Sequence, residues 1–316
     1  MRDRPREVVA RRRNTSWPSF AMAPVLMAAL ALFTSCIPSA AGQGKKRATG
    51  DWNPPNVDAP LAGVLLTPPC PLDDVLKRAG ERAQEMVTSL QQFTAKETMK
   101  AEMLNEFGTS AATETRDFDY LVFIHEGTNG RLSVREDHKA TYGTDSFDRT
   151  MTDSGLTVLA LIFHPEYAGE YEIHCEGQTE YRGQAAWVVH FQQRQDKPSM
   201  TREFTTETGH YPAKLKGRAW IATNTGQVIH LETNLVEWIP GMHLKSEAIS
   251  IDYGPVQFHS QPIVLWLPLN AAVYSDFILA AAPGSAMATS DAPQDRRYYA
   301  QYTFSDYQVF STGIGK

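Results

Sequence analysis

Cysteine is scarce. Cys36, Cys70 and Cys175 are all that 316 residues contain, too few to staple a fold of this size, so a disulfide-dense scaffold is excluded. Basic charge is also in deficit: a formal net charge of −6 argues against a general nucleic-acid binder, whose affinity rests on a basic surface. Glycine (21) and proline (19) stay at ordinary levels and aromatics make up 10%, which excludes collagen-like and wholly disordered chains. Long apolar runs are missing. The run from Ala21 to Phe33 falls short of the about 20 residues a membrane span needs, and Leu156 to Phe163 is shorter still. Catalytic signatures are absent too, with no G-x-S-x-G, G-x-G-x-x-G or H-E-x-x-H. The terminal Gly313-Ile314-Gly315-Lys316 is only the tail of a P-loop pattern, without the following Ser or Thr.

What is present begins with an address. Arg2, Arg4, Arg6, Arg11, Arg12 and Arg13 precede the apolar run, and small residues follow it, the order of a secretory signal over residues 1–41. Ser39-Ala40-Ala41 suits cleavage before Gly42. Phe33-Thr34-Ser35-Cys36 resembles a bacterial lipobox that would acylate Cys36. The Arg12-Arg13 pair lacks the hydrophobic residues that would follow it in a twin-arginine signal. The expected location is outside the cytoplasm, periplasmic or extracellular, with an outer-membrane lipoprotein as the alternative. Removing residues 1–41 leaves 24 Lys+Arg against 34 Asp+Glu, a net charge of −10, which opposes adhesion to anionic lipid or nucleic acid.

Residues 42–71 start polar and basic and then carry six prolines from Pro54 to Pro71, the composition of an extended, semi-rigid tether. From Leu72 the period is helical: Val75, Leu76, Ala79, Ala83, Met86, Leu90 and Phe93 recur at intervals of three and four, with Asp73 and Asp74 in the first turn. A single such stripe, with no second helix beside it in sequence, predicts a helix lying on a sheet rather than a coiled coil. After residue 94 the period becomes two. Phe118, Tyr120, Val122 and Ile124 share a face, as do Trp187, Val189 and Phe191. Ile229, Leu231, Thr233 and Leu235 form another set, and Ile249, Ile251 and Tyr253 a further one. Tyr302, Phe304 and Phe310 follow the same parity near the end. Turn residues such as Asn129-Gly130 and Thr225-Gly226 separate the runs. Leu156–Phe163 reads as a short buried helix, capped by Asp153 or Ser154 and ended at His164-Pro165. Residues 280–295 read as a floppy hairpin tip. The prediction is an α+β fold, mostly antiparallel β, in one domain over 72–316.

The densest polar cluster is His164, Glu166, Glu170, Glu172, His174 and Glu176. Imidazoles and carboxylates so spaced supply metal ligands or an acid and a base, and His164, Glu170, Glu172 and His174 are the candidate ligands. Strand alternation gives a plainer account: Glu170, Glu172, His174 and Glu176 on a solvated face, Tyr171, Ile173 and Cys175 inward. No cofactor is called for. Cys70 and Cys175 either pair, pinning the helix start to a strand, or stay as buried thiols.

Two stretches carry a resemblance. Glu180-Tyr-Arg-Gly-Gln-Ala-Ala-Trp-Val-Val-His-Phe191 and Gly217-Arg-Ala-Trp-Ile-Ala-Thr-Asn-Thr-Gly-Gln-Val-Ile-His-Leu-Glu232 have the cadence of the LolA/LppX-like superfamily. These are periplasmic lipoprotein carriers and envelope-stress sensors, in which a strand ending Trp-Ile turns at Thr-Gly into a strand carrying basic-x-Glu. His230 stands where Arg is usual, and no functional residue of the carriers can be matched. With Leu72–Phe93 and Val87-Thr-Ser-Leu-Gln-Gln-Phe-Thr-Ala-Lys-Glu97, most of residues 70–311 also resembles uncharacterised secreted proteins of acidobacterial type, a likeness that brings no known activity. The carrier resemblance implies a half-open curved sheet or incomplete barrel. A long amphipathic helix and a short second helix would pack on its concave face, with an apolar cavity between. Three functions compete: a non-enzymatic envelope protein holding a lipid, acyl chain or apolar peptide between helix and sheet; an interaction module with a filled core; and a hydrolase built around residues 164–176. An unfilled apolar cavity under the helix favours the first and a packed interior the second. Nothing in the sequence sets an oligomeric state.

Overall fold

The computed structural model describes residues 52–105, 108–126, 132–142, 155–199, 201–206, 209–258, 263–279 and 294–309. The export segment, Cys36 and most of the 280–295 tip lie outside these residues. The long helix α1 (Leu72–Ser89) is followed by β1 (Gln92–Leu104), β2 (Ser110–Glu126) and β3 (Leu132–Tyr142). A 3₁₀ turn (Leu159–Phe163) and the short α2 (Pro165–Ala168) lead to β4 (Tyr171–Tyr181) and β5 (Gln184–Gln193). A small pair, β6 (Glu203–Thr206) and β7 (Gly209–Pro212), precedes β8 (Leu215–Ala222), β9 (Val228–Leu235), β10 (Leu244–Gln257), β11 (Val264–Leu279) and β12 (Gln294–Val309). Ten strands make one antiparallel sheet in the order β3-β2-β1-β12-β11-β10-β9-β8-β5-β4, open at both edges. Most neighbours are hairpin partners, so the mostly antiparallel α+β class predicted from periodicity is observed, and the sheet is curved and unclosed, as the resemblance implied.

Strand order dictates the interior. β3 and β4 follow each other in sequence but occupy opposite edges, so the chain between them has to traverse the sheet. Its described part does so on the α1 face. Leu156, Leu159, Leu161, Ile162 and Phe163 are each at most 2% exposed and join one core with Val75, Ala79, Ala83 and Met86 of α1 and with Val189, Leu231 and Ile251 of the sheet. Gly80 lets α1 approach this segment: a Cβ there would stand 3.2 Å from the Phe163 carbonyl. In place of the predicted single helix over 156–163 stands a 3₁₀ turn at Leu159–Phe163; the predicted caps Asp153 and Ser154 lie outside the described residues, and His164-Pro165 opens a new turn as well as ending the old one. The His164 imidazole Nδ1 accepts from Glu166 N–H at 3.2 Å, and Pro165 sits where a helix has no need of its N–H. α2 then ties back to the far edge. The Leu132 N–H donates to Glu166 at 2.8 Å and the Tyr167 hydroxyl donates to the Leu132 carbonyl at 2.8 Å.

α1 is anchored at its start and middle. Cys70 is joined to Cys175 of β4, with their Cα atoms 6.3 Å apart. Arg78 donates to the carbonyls of Thr223 (2.7 Å) and Asn224 (2.5 Å), and Arg82 to that of Thr225 (3.0 Å), so two guanidinium groups satisfy the β8–β9 turn.

Residues 52–65, within the 42–71 segment expected as a tether, are strapped to the other face of the sheet. Val57 is fully buried and its N–H donates to Asn234 Oδ1 (3.0 Å), while Asn234 Nδ2 donates to the Pro55 carbonyl (2.9 Å). Further along, Arg218 donates to the Ala59 carbonyl (2.9 Å), and Leu65 bridges Gln178 of β4. Hence Ala186–Phe191 of β5 is buried without alternation: Trp187, Val189 and Phe191 face α1, and Ala186 and Val188 lie with Trp220 and Ile229 beneath Leu61 of the strap. Ile229 leaves the inward parity expected of it, because the pairing slips between Trp220↔His230 and Ile221↔Val228, a bulge that turns its side chain outward.

Two stability outcomes follow. The bond between Cys70 and Cys175 closes a loop with a sequence separation of 105, worth up to about 4–5 kcal/mol in the chain-entropy treatment, so Cys175→Ser lowers the calorimetric melting temperature strongly. Truncating the fully enclosed Phe163 to Ala costs about 3–5 kcal/mol in a urea titration, the range for a buried aromatic.

Candidate functional site

The space between α1 and the sheet is the first place to seek a ligand. It is occupied by Leu156–Phe163, and the cleft left beside the helix, between Ala83, Met86, Val228, Leu265 and Trp266, measures about 20 Å³. That is room for about one water.

Buried polar groups fasten the filling segment. The Tyr120 hydroxyl bonds Thr157 Oγ1 at 2.8 Å, and the Gly155 N–H donates to the Glu136 carboxylate. Burial raises the Glu136 pKa, against the opposing pull of that N–H and of His138 and Arg202. Arg202, 1% exposed, meets Glu247, 2% exposed, at 2.8 Å. Such a pair is retained only with its hydrogen bonds, since desolvation costs each ion several kcal/mol. The concave half of the sheet is therefore polar in part and unlike a greasy tunnel.

The sequence-predicted polar cluster does not converge. His164 is buried as the cap of α2, and Glu166 holds the edge strand at Leu132. Glu170 lies in the turn before β4, outside the strand that was to align it with Glu172. Glu172 and His174 stand exposed on the outer face, where His174 stacks on His190 with ring centroids 4.8 Å apart. Glu176 is paired with Arg218 through contacts of 2.6 and 2.9 Å. Among the described residues no group of three His, Cys, Asp or Glu side chains is placed to hold a metal ion.

The outer face holds the constellation that sequence reasoning missed. The Tyr181 hydroxyl donates to Asp252 Oδ1 at 2.6 Å and lies 3.0 Å from His230 Nδ1. His230 Nδ1 is 2.9 Å from Asp252 Oδ1, its Nε2 is 3.5 Å from Glu232, and Arg182 donates to Asp252 Oδ2 at 2.6 Å. The ring of Tyr181 stacks on His230, and Trp220 packs edge-on against it. Burial works against a charged His230, but the hydrogen bonds and charges of Asp252 and Glu232 outweigh it and raise the pKa. For Asp252 burial acts upward, and His230, Tyr181 and Arg182 together bring the pKa below its ordinary value. The network borders a groove of about 340 Å³ over β10, β11, β12 and β1. Its members come from β4, β9 and β10 and the β4–β5 turn, and only the basic-x-Glu cadence at His230 and Glu232 hinted at it.

A pH dependence follows with a definite sign. A raised His230 pKa contributes stability that is complete below about pH 6.5 and is lost as pH rises through the folded-state value. The lowered Asp252 pKa contributes stability present above pH 3.8 and lost as pH falls through its folded-state value. Urea midpoints measured from pH 5 to 9 should fall more steeply for the native protein than for His230→Gln.

No protein-family model and no curated protein matches the chain, so the likeness to secreted acidobacterial proteins has no counterpart there. Among solved structures, a DUF1329 family protein from Desulfovibrio piger is similar over 78% of this chain and 95% of its own, at 12% identity and a TM-score of 0.37. A domain described as an outer membrane lipoprotein-sorting protein, from Vibrio parahaemolyticus, covers 76% of this chain and 95% of its own, at 12% identity and a TM-score of 0.34. The Mycobacterium tuberculosis lipoprotein LppX covers 74% and 95%, at 9% identity and a TM-score of 0.24. The fold stands on its own strand order and register.

Proposed function

We propose that the protein is an exported, non-enzymatic module of the cell envelope that works through its surface, with its helix-on-sheet interior filled by its own chain. The observation that carries this reading is the occupation of the space under α1 by Leu156–Phe163, which leaves a cleft of about 20 Å³. Ligand pockets are commonly roughly 300–1,000 Å³. Export is supported by the basic and apolar segments of residues 1–41 and by the Cys70–Cys175 bond, which persists in oxidising compartments. A non-enzymatic role is supported by the dispersal of His164, Glu166, Glu170, Glu172, His174 and Glu176 into capping, edge-holding and surface positions.

The carrier reading has one foothold, the apolar lining of the cleft beside α1 at Met86, Val228 and Leu265. A lipid, acyl chain or apolar peptide seated there has to expel Leu156–Phe163, exposing side chains that each gain about 1.5–3 kcal/mol from burial. Its own binding energy has to exceed that sum.

Native mass spectrometry of the protein from its own envelope fraction tests the proposal. The expected spectrum is that of a chain without non-covalent ligand, two hydrogen atoms lighter than the reduced form and beginning at Gly42 or at acylated Cys36. A stoichiometric co-purifying lipid would overturn the filled-interior reading, and a mass beginning at Met1 would overturn export.

A further inference from the structure

The groove of about 340 Å³ on the outer face lies away from the space under α1 and includes none of the candidate metal ligands or paired cysteines named from the sequence. Its floor is Ala272, whose short side chain leaves a depression between Ser250 on β10 and Gln301 on β12. Asn270 and Thr303 form the rung on one side, and the walls carry Lys100 of β1 and Arg182 of the β4–β5 turn. The rung on the other side is aromatic. Tyr274 and Tyr299 face each other across the same two strands with ring centroids 4.8 Å apart, and Trp52 of the strap packs edge-on against Tyr274 at 5.6 Å. Gln301 Nε2 donates to the Tyr299 hydroxyl at 2.7 Å, joining the polar floor to the aromatic rim.

The chemistry of this lining discriminates between ligand classes. A site for a simple anion needs donors and positive charge. Here Asn270 and Gln301 bring acceptor carbonyls beside their donor amides, Ser250 and Thr303 do both, and the Asp252 carboxylate lies in the same wall as Arg182. An apolar ligand finds no apolar enclosure. Paired donors and acceptors, with an aromatic rung one step further along the same two strands, suit a ligand that presents hydroxyls at its edges and C–H groups on its face. We propose that this groove binds a neutral, hydroxyl-rich chain, an oligosaccharide. An extended ligand is favoured over a single sugar because a second groove, of about 660 Å³, lies further along the same strands, with Val256, Leu269 and Phe304 among its lining. The first is lined by Thr98 and Thr303, the second by Lys96 and Ser305, which are the next residues of like parity on β1 and β12.

Isothermal titration of the purified protein with maltohexaose, cellohexaose and chitohexaose, and with inorganic phosphate as the anionic counterpart, tests this. Saturable binding of at least one hexasaccharide is expected, weakened at least tenfold in Asn270→Ala and in Gln301→Ala and abolished in Ala272→Trp. Asn270 and Gln301 are exposed, so their truncation leaves the fold intact even where Ala272→Trp does not. Failure of all three saccharides, binding of phosphate alone, or saccharide binding equal in the native protein and both truncation variants would each overturn the proposal.

Discussion

Strands β3 and β4, neighbours in sequence, sit at opposite edges of one open sheet, and the crossing this forces organises the molecule. An amphipathic helix on a curved sheet leaves a space that is costly to leave as a void, because its lining loses contacts on one side. The crossing chain brings Leu156, Leu159, Leu161, Ile162 and Phe163 into that space, and the helix contributes Gly80 at the closest approach. The same segment continues into α2, whose Glu166 and Tyr167 hold the backbone of Leu132 at the far edge. One connection therefore fills the interior and ties the two edges, so a ligand under α1 and the intact fold compete for the same volume.

The opposite face is closed by a different device. Residues 52–65 lie across β9, β8, β5 and β4 and cover apolar side chains that would otherwise face water. The strap leaves open a polar constellation, the Tyr181–His230–Asp252 network and the groove beside it. The burial pattern thus leaves hydrogen-bonding side chains open on this face, whereas the α1 face is packed with the chain's own apolar side chains.

The amphipathic stripe from Val75 to Leu90 and the strand parities of Phe118–Ile124 and Ile249–Tyr253 were legible because each is a local consequence of burying one face. Other features depend on partners far apart in the chain. Six prolines between residues 54 and 71 reveal that no ladder or helix forms there, but not that Val57 finds Asn234 or that Arg218 finds Ala59. Tyr181, His230 and Asp252 are separated by 49 and 71 residues from Tyr181 onward, and only the folding of the β4–β5 turn onto β9 and β10 unites them. Ile229 was misplaced because a bulge breaks the period on which the parity argument rests. The histidine and carboxylate cluster at 164–176 was conspicuous in sequence for its density, yet the chain changes direction inside it at Pro165 and again before Tyr171, which sends its members to different faces.

Hydrogen exchange at the Leu161 and His164 amides, which donate to the carbonyls of Val158 and Leu161 at 2.8 Å, tests the filled interior most directly. If residues 156–163 are part of the core, these amides exchange as slowly as those of Val189 and Leu231, and saturating oleate leaves their rates unchanged. Fast exchange in the free protein, or loss of protection when oleate is added, would contradict the account and mark the segment as a displaceable occupant of a ligand site.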